Sequence, residues 1–125
     1  METAKPDSWQ REPMPDSVSE LDYEATFSKA EFELIARGLI PESMDDKWFV
    51  YMEGDRLNVH RSWTGHCIYE VDFEMAGDAH AVLRARVNRD PDQYQATDDT
   101  YDAMLLVFVI RRLMLGEDVP CPLPG

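Results

Sequence analysis

Two short polar strings contain the residue types that could bind or transform a small molecule. They are HRSWTGH at positions 60–66 and VNRDP at positions 87–91. The planar guanidinium forks of Arg61 and Arg89 suit a carboxylate or a phosphate, and Trp63 offers a face for stacking. We therefore predict a site for a small planar anion, such as a nucleotide or an ADP-ribose-like compound. Its predicted residues are His60, Arg61, Ser62, Trp63, Asn88 and Arg89.

The same residues also have a structural interpretation, which the sequence leaves open. Arg61 and Arg89 could pair with the acidic residues Asp90, Asp98 and Asp99 and so hold the following loop on the sheet. Trp63 would then belong to the core. Under this interpretation the two strings stabilise the fold and bind no ligand.

An enzymatic alternative makes His60 a general base and Arg61 a charge stabiliser acting on a nucleotide or ADP-ribose bond. We favour a non-catalytic protein, because the sequence offers no second well-placed carboxylate and no metal set. Ser62 lies two residues from His60 without a glycine-bounded elbow, so we predict no catalytic triad. An exposed cross-strand pair between His60 and Glu70 is the simpler role for the imidazole. We predict no catalytic residue, no metal and no cofactor.

Four strands are predicted to position these strings. The hydrophobic pattern has period two over residues 48–52, 56–63, 67–75 and 80–88. The Gly54-Asp55 turn pairs Glu53 with Arg56, which puts four apolar side chains on one face: Val50, Met52, Leu57 and Val59. On one face of the last two strands, a row of acidic side chains lies opposite a row of basic side chains. We interpret these charges as a solvated face rather than a site.

Two helices complete the predicted fold. Ser28 and Glu31 form a capping box for the first helix, and Gly38 ends it. The last helix runs from residue 97 or 98 to about 115, and residues 103–110 within it are apolar on every side. Such a helix is buried, either inside the molecule, which we favour, or between two copies in a homodimer. The fold class is α+β: a four-stranded antiparallel meander with an N-terminal and a C-terminal helix on one face, in the order α-β-β-β-β-α.

In such a meander, alternate strand ends meet at the same edge of the sheet. The start of the first strand, with Lys47 and Trp48, therefore meets residues 60–66 and residues 88–90. Loops at one end of a rigid scaffold are common places for function. The predicted strand order thus brings the two polar strings together.

Composition limits the classes of partner. The chain has 125 residues and a net charge of −13. This charge disfavours broad binding to nucleic acid or to an anionic membrane. The first residues lack the apolar stretch of a signal peptide, no apolar run has the length of a membrane span, and the two cysteines form no redox motif. We expect a cytoplasmic protein with reduced thiols.

The chain divides into three predicted segments. Residues 1–25 are acidic and poor in apolar side chains, and we predict a flexible segment in which Trp9 alone docks on the domain. Residues 26–118 form the single α+β domain. Residues 119–125 are rich in proline and form an extended tail.

Four runs, at residues 46–51, 60–69, 87–91 and 97–102, resemble a small, functionally uncharacterised bacterial domain. That family occurs alone and is also found appended to ADP-ribosylglycohydrolase-like proteins. The resemblance covers about residues 45–116, and its distinctive strings are HRSWTG and VNRDP. By association only, the resemblance implies a role related to ADP-ribose or nucleotides. The family has no established activity that could be transferred to this chain.

Three functional hypotheses follow from the sequence. The first is a binding or interaction module that recognises a small anionic ligand or a protein partner through the edge described above. The second is an enzyme acting on a nucleotide or ADP-ribose bond. The third is a homodimer with residues 103–110 at its interface.

Overall fold

One antiparallel sheet with two helices forms the molecule. The computed structural model describes residues 3–43 and 45–122. The strands of the sheet are β1 (Val18–Leu21), β2 (Thr26–Phe27), β3 (Trp48–Glu53), β4 (Arg56–Arg61), β5 (Cys67–Ala76) and β6 (Ala79–Asn88). The helices are α1 (Lys29–Arg37) and α2 (Asp99–Phe108), and α2 continues into a π-helical segment, Val109–Met114.

The predicted fold class α+β with an antiparallel sheet is confirmed, but the four-stranded meander is wrong. The strand order is β1-β6-β5-β4-β3, and β2 also pairs with β6. The first helix is therefore preceded by two strands rather than opening the fold. Both strands are short, and β1 lies in an acidic segment with few apolar side chains. Its pairing with β6 is non-local, with Glu20 opposite Arg86, so the local sequence pattern did not reveal it.

The predicted register of the central hairpins is largely confirmed. Glu53 pairs with Arg56, as the glycine-first turn requires, and Gly54 has a positive φ of 62°. On β5 and β6, Glu70 faces Arg86 and Asp72 faces Arg84. Ion pairs of 3.0 and 3.6 Å join these acids to the arginines. The charged pairing is confirmed, but the row is less solvated than predicted, since the side chains of Glu70 and Asp72 are only 13% and 15% exposed.

Two β-bulges overturn finer parts of the pattern. A bulge at Val59/His60 places His60 opposite Cys67, while Glu70 faces Asn58, so the predicted His60–Glu70 pair is wrong. A second irregularity at Asp72/Phe73 sets Phe73 opposite Val82, and Leu83 is 56% exposed. An extra residue in one strand reverses which side chains face inward beyond it, and strict alternation cannot show this.

The helix ends follow their predicted signals. The capping box is present, since the Ser28 hydroxyl accepts from the backbone N–H of Glu31 and the Glu31 carboxylate accepts from that of Ser28. Gly38 ends α1 with φ 68° and ψ −162°, and a Cβ atom there would lie 2.0 Å from the carbonyl oxygen of Val50. Asp98 caps α2, where its side chain accepts from two backbone N–H groups. Gly38 therefore allows the chain to pass close to β3, against which the next residue pairs.

The core lies between the sheet and the two helices. Side chains from every layer join it, including Phe27, Ile35, Val50, Tyr69 and Leu106. The prediction that residues 103–110 are apolar and buried is confirmed for four of them: Leu105, Leu106, Val109 and Ile110. Met104, however, is 55% exposed. The chain itself thus buries half of these eight residues. Among the described residues no helix is both long and apolar enough to cross a membrane.

The N-terminal segment lies against the other face of the sheet. Ala4 is 2% exposed and packs with Phe49 and Tyr51, and its backbone N–H donates to the carbonyl of Arg37 at 2.8 Å. The flexibility predicted for residues 1–25 stays a prediction. Of the predicted proline-rich tail, residues 123–125 lie outside the described residues.

Candidate functional site

Arg61 ends β4 on the helix-covered side of the sheet, directly opposite Trp48 on β3. Its guanidinium carbon lies 4.5 Å from the Trp48 ring centroid and 6.0 Å from that of Tyr94. Within residues 3–43 and 45–122, no carboxylate oxygen lies within 4.0 Å of its nitrogens. Arg61 is therefore held by aromatic rings and retains its hydrogen-bonding fork for another partner.

A pocket of about 430 Å³ opens beside this guanidinium. We call it the Arg61 pocket; it is lined by Lys47, Arg61, Trp63, Thr64, Gln93, Tyr94 and Gln95. Two cations, two aromatic rings and two side-chain amides thus face one space. Among the described residues no acidic side chain lines it, although the whole chain has a net charge of −13.

A larger cavity of about 630 Å³ adjoins the first, and Lys47 and Arg61 line both. Its walls are formed by side chains from β3, from the loop after α1 and from the C-terminal helix. We call it the apolar cleft after the apolar part of this lining. The apolar lining consists of Leu39, Ile40, Trp48, Leu105, Phe108 and Leu113. Three acids stand in the loop that borders it: Glu42, Asp45 and Asp46.

Arg89, just beyond β6, has very different surroundings. Its side chain forms an ion pair of 2.7 Å with Asp102, a short contact with Asp99 and a hydrogen bond of 3.0 Å to the carbonyl of Ala96. Asp102 is fully buried and also accepts from the hydroxyls of Tyr69 at 2.7 Å and Tyr94 at 2.5 Å. We call these five residues (Arg89, Asp99, Asp102, Tyr69 and Tyr94) the Arg89 network.

The two tyrosines of this network remain hydrogen-bond donors at neutral pH. Burial raises the pKa of Tyr94 well above its ordinary value, and its hydrogen bond to Asp102 acts in the same direction. Burial also raises the pKa of Tyr69 strongly. A neutral phenol donating to a buried carboxylate is a stable arrangement, so the network fastens α2 to the sheet.

His60 lies on the opposite face of the sheet from Arg61. It is 2% exposed, and its ring centroid lies 5.5 Å from that of Tyr51 and 5.9 Å from that of Phe49. Its Nδ1 donates to the carbonyl of Gly65 at 2.9 Å, while Nε2 is buried without a partner. Burial lowers the pKa of His60, and the nearby Arg11 adds to this effect. The ring lines neither cavity.

Ser62 and Asn88 bind the chain itself. Ser62 is 2% exposed, and its hydroxyl donates to the carbonyl of Asp46 at 2.6 Å. Asn88 is fully buried, donates to the Cys67 carbonyl at 2.9 Å and accepts from the backbone N–H of Asp90. Both side chains hold the loops that border the Arg61 pocket.

The N-terminal segment fixes the other side of the same loop. The Trp9 indole N–H donates to the Ser62 carbonyl at 2.7 Å, and the Gln10 amide donates to the same oxygen at 2.8 Å. The backbone N–H of Glu12 donates to the Gly65 carbonyl at 2.7 Å. Trp63, which lies in this loop, is 64% exposed at the edge of the pocket.

Cys67 is buried and offers no reactive thiol in this arrangement. Burial, followed by the charge of Glu70, raises the pKa of Cys67 to about 12, so its thiol is protonated at neutral pH. Cys121 is exposed and Cys67 buried, and both are free. In the part of the chain described, no three metal-binding side chains are grouped to hold an ion.

The structure therefore divides the six residues assigned from the sequence. Arg61 and Trp63 line the Arg61 pocket, Arg89 and Asn88 lie in structural contacts, and His60 and Ser62 are buried. Sequence reasoning missed the glutamines and Tyr94 of the same pocket. Their position in the loop after VNRDP, at the edge where the strings meet, was the available signal. The buried Asp102 gave no comparable signal, because an acid in the first turn of a helix is ordinary.

No protein-family model, no curated protein and no solved structure matches the chain.

Proposed function

We propose that the protein is a non-catalytic binding module that takes up a small anionic molecule with a flat polar group in the Arg61 pocket. A nucleotide or an ADP-ribose-like compound belongs to this class. The observation that supports the proposal most strongly is the state of Arg61. Its guanidinium is stacked on Trp48 and has no carboxylate partner among the described residues.

The contrast with other arginines gives this observation its weight. Six of the nine arginines lie within 4.0 Å of a carboxylate: Arg56, Arg84, Arg86, Arg89, Arg111 and Arg112. Among the described residues Arg11 and Arg37 have no such partner either, but neither of them lines the Arg61 pocket or the apolar cleft. An arginine held in place by rings and left without an acid is suited to an anion from outside the chain.

The remaining lining suits the flat part of the ligand. Trp63 and Tyr94 offer aromatic faces, and the Gln95 amide offers a donor and an acceptor that match the edge of a heterocycle. The Gln93 side-chain oxygen already accepts from the Asn88 amide at 2.9 Å, which leaves its NH2 group as a donor. The pocket volume of about 430 Å³ falls in the range of roughly 300–1,000 Å³ that is usual for small-molecule sites.

A non-catalytic role agrees with the position of His60. The general base of the enzymatic hypothesis would have to reach a ligand held by Arg61. Its ring lies instead under the N-terminal segment, on the other side of the sheet. General base catalysis requires hydrogen-bond reach to the proton that is removed, and this arrangement does not provide it.

The test is a calorimetric titration that measures the affinity of the full chain for AMP, for ADP-ribose and for uncharged adenosine. We expect AMP to bind and adenosine to bind at least tenfold more weakly, since the anion supplies the contact with Arg61. Arg61→Gln should weaken AMP binding by about 10- to 100-fold, the range of a lost charge-assisted hydrogen bond.

The matched control is Arg84→Gln. Arg84 lies in the charged row of the sheet and lines neither the Arg61 pocket nor the apolar cleft. It should leave AMP affinity unchanged. Equal losses in the two variants, or equal affinities for AMP and adenosine, would contradict the proposal.

A further inference from the structure

We propose that the apolar cleft receives an uncharged apolar arm of the same ligand. The ligand would then be an anion that joins a flat polar group on one side to an apolar chain on the other. A nucleoside monophosphate esterified with an alkyl or acyl group has this chemistry. The inference rests on the proposed function and narrows its substrate class.

Continuity of the two cavities is the first observation. Lys47 and Arg61 line both the Arg61 pocket and the apolar cleft. An anion bound to these two cations therefore lies where the spaces meet. A phosphate diester or an acyl phosphate has two substituents on the anionic group, so one can enter each space.

The lining of the cleft determines what the second substituent can be. Leu105, Phe108 and Leu113 face Leu39 and Ile40 across a volume of about 630 Å³. Leu113 is 40% exposed and contributes apolar surface to this wall. An apolar arm would remove this surface from water, which is the main favourable term in binding apolar groups.

The helix that forms one wall is locally π-helical, which is an independent observation. Over Val109–Met114 the helix widens, and the backbone N–H of Leu115 donates to the carbonyl five residues earlier, at Ile110, at 3.0 Å. The π-helix is rare and is found frequently at functional sites. Here it begins directly after Phe108 and contains Leu113, two residues of the cleft wall.

The acidic border of the cleft excludes a second anionic group. Glu42, Asp45 and Asp46, in the loop before β3, are part of its lining. Their charges would repel a second phosphate, as in a dinucleotide-like ligand, but they do not oppose a neutral chain. The arrangement favours a ligand with a single anionic group over ADP-ribose, which has two phosphates.

The experiment measures the affinity of the full chain for AMP and for its butyl and hexyl phosphate esters. We expect affinity to increase with chain length, by up to about fourfold for each methylene group that is buried. In Leu113→Gln, which adds polarity to the cleft wall without adding charge, this increase should vanish. AMP affinity should change much less than the affinity for the hexyl ester, because Leu113 lies outside the Arg61 pocket. Leu83→Gln, at an exposed leucine of β6 that lines neither cavity, is the control and should keep the increase.

The outcomes distinguish this inference from the proposed function. If AMP binds through Arg61 but the esters bind no better, the arm is wrong and the proposed function stands. If neither AMP nor the esters bind, both are wrong. If the increase with chain length persists in Leu113→Gln, the arm lies elsewhere and the inference is overturned. Leu113→Ala, a milder change, should reduce the increase of affinity with chain length only in part. Its thermal unfolding is measured to check that the fold is intact.

Discussion

The Arg61 pocket and the Arg89 network lie on the same side of the sheet and share Tyr94, yet their arginines are in opposite states. Arg89 is 12% exposed, and its charge is matched by two carboxylates, one of them fully buried. Arg61 stacks on Trp48 and has no carboxylate within 4.0 Å among the described residues; the Arg61 pocket has no acid in its described lining, whereas three acids line the adjoining apolar cleft. The sequence strings that contain them suggested a single role for both.

The difference shows that an arginine's function depends on what its surroundings leave unsatisfied. A buried ion pair such as Arg89–Asp102 contributes little compared with two apolar side chains, but removing one partner leaves a costly unpaired charge. This makes Arg89 a structural residue. Replacing Arg61 should cost the free protein little stability, because Arg61 gains a charged partner only when an anion binds.

The largest effect should come from breaking the Arg89 network at Asp102. Asp102→Ala removes the acceptor of two tyrosine hydroxyls and the buried partner of Arg89, and we expect a loss of about 3–5 kcal/mol in the free energy of unfolding. Chemical denaturation measures this loss. Asp99→Ala, at a side chain 55% exposed, is the control and should cost less than about 1 kcal/mol. Similar costs for the two would mean that the network is not the structural anchor of α2.

The next effect separates the two arginines directly. Arg61→Gln removes a cation–π contact and should cost about 1 kcal/mol or less of stability. Arg89→Gln should cost about 3 kcal/mol or more, because it leaves Asp102 buried without its cation. Thermal or denaturant unfolding of both variants decides the order. An unfolded Arg61→Gln and a stable Arg89→Gln would reverse our assignment.

A smaller effect concerns the loop that borders the Arg61 pocket. Trp9→Phe keeps an aromatic ring but deletes the donor to the Ser62 carbonyl, which should cost about 1 kcal/mol. The loop containing Trp63 then becomes less fixed, so AMP affinity should fall modestly. Gln10→Ala removes the second donor to the same oxygen and should add to the first change. Unchanged stability in the double variant would show that the N-terminal segment does not fix the loop.

The smallest effect is the pH dependence that arises from His60. Burial and Arg11 lower the pKa of His60 below its ordinary value of 6.5, and its other close titratable neighbours are Tyr51 and Cys67. The unfolded chain then binds a proton at a higher pH than the folded one does. The free energy of unfolding should therefore fall as pH decreases below about 6.5.

His60→Gln isolates this contribution from those of the carboxylates. The variant has no imidazole to protonate and keeps a side chain that can donate to the Gly65 carbonyl. Comparison of its stability with that of the native sequence between pH 7.5 and 5.5 should show a shallower slope. Identical slopes would place the pH dependence elsewhere.

Much of the fold followed from local rules. The Ser28 capping box, the Gly54-Asp55 turn and the Asp98 start of α2 each appear where their physical chemistry requires. The two bulges and the pairing of β1 with β6 were not predictable, because each depends on contacts distant in the sequence. The edge that gathers the polar strings was predictable from strand order.

The assignment of individual side chains was less predictable. Alternation along β4 correctly separates Arg61 from His60, but it does not show that the N-terminal segment buries the latter. Nor does the string VNRDP reveal that Arg89 meets an aspartate thirteen residues later. Which cation stays unpaired depends on the whole surroundings, and these exist only in the folded chain.

The most direct test of the central claim is an NMR titration of the full chain with AMP that follows the arginine Nε–Hε and tryptophan indole N–H signals. We expect the signals of Arg61 and Trp63 to move and to saturate, while that of Arg89 stays in place. A saturating shift at Arg89 with none at Arg61 would contradict the account.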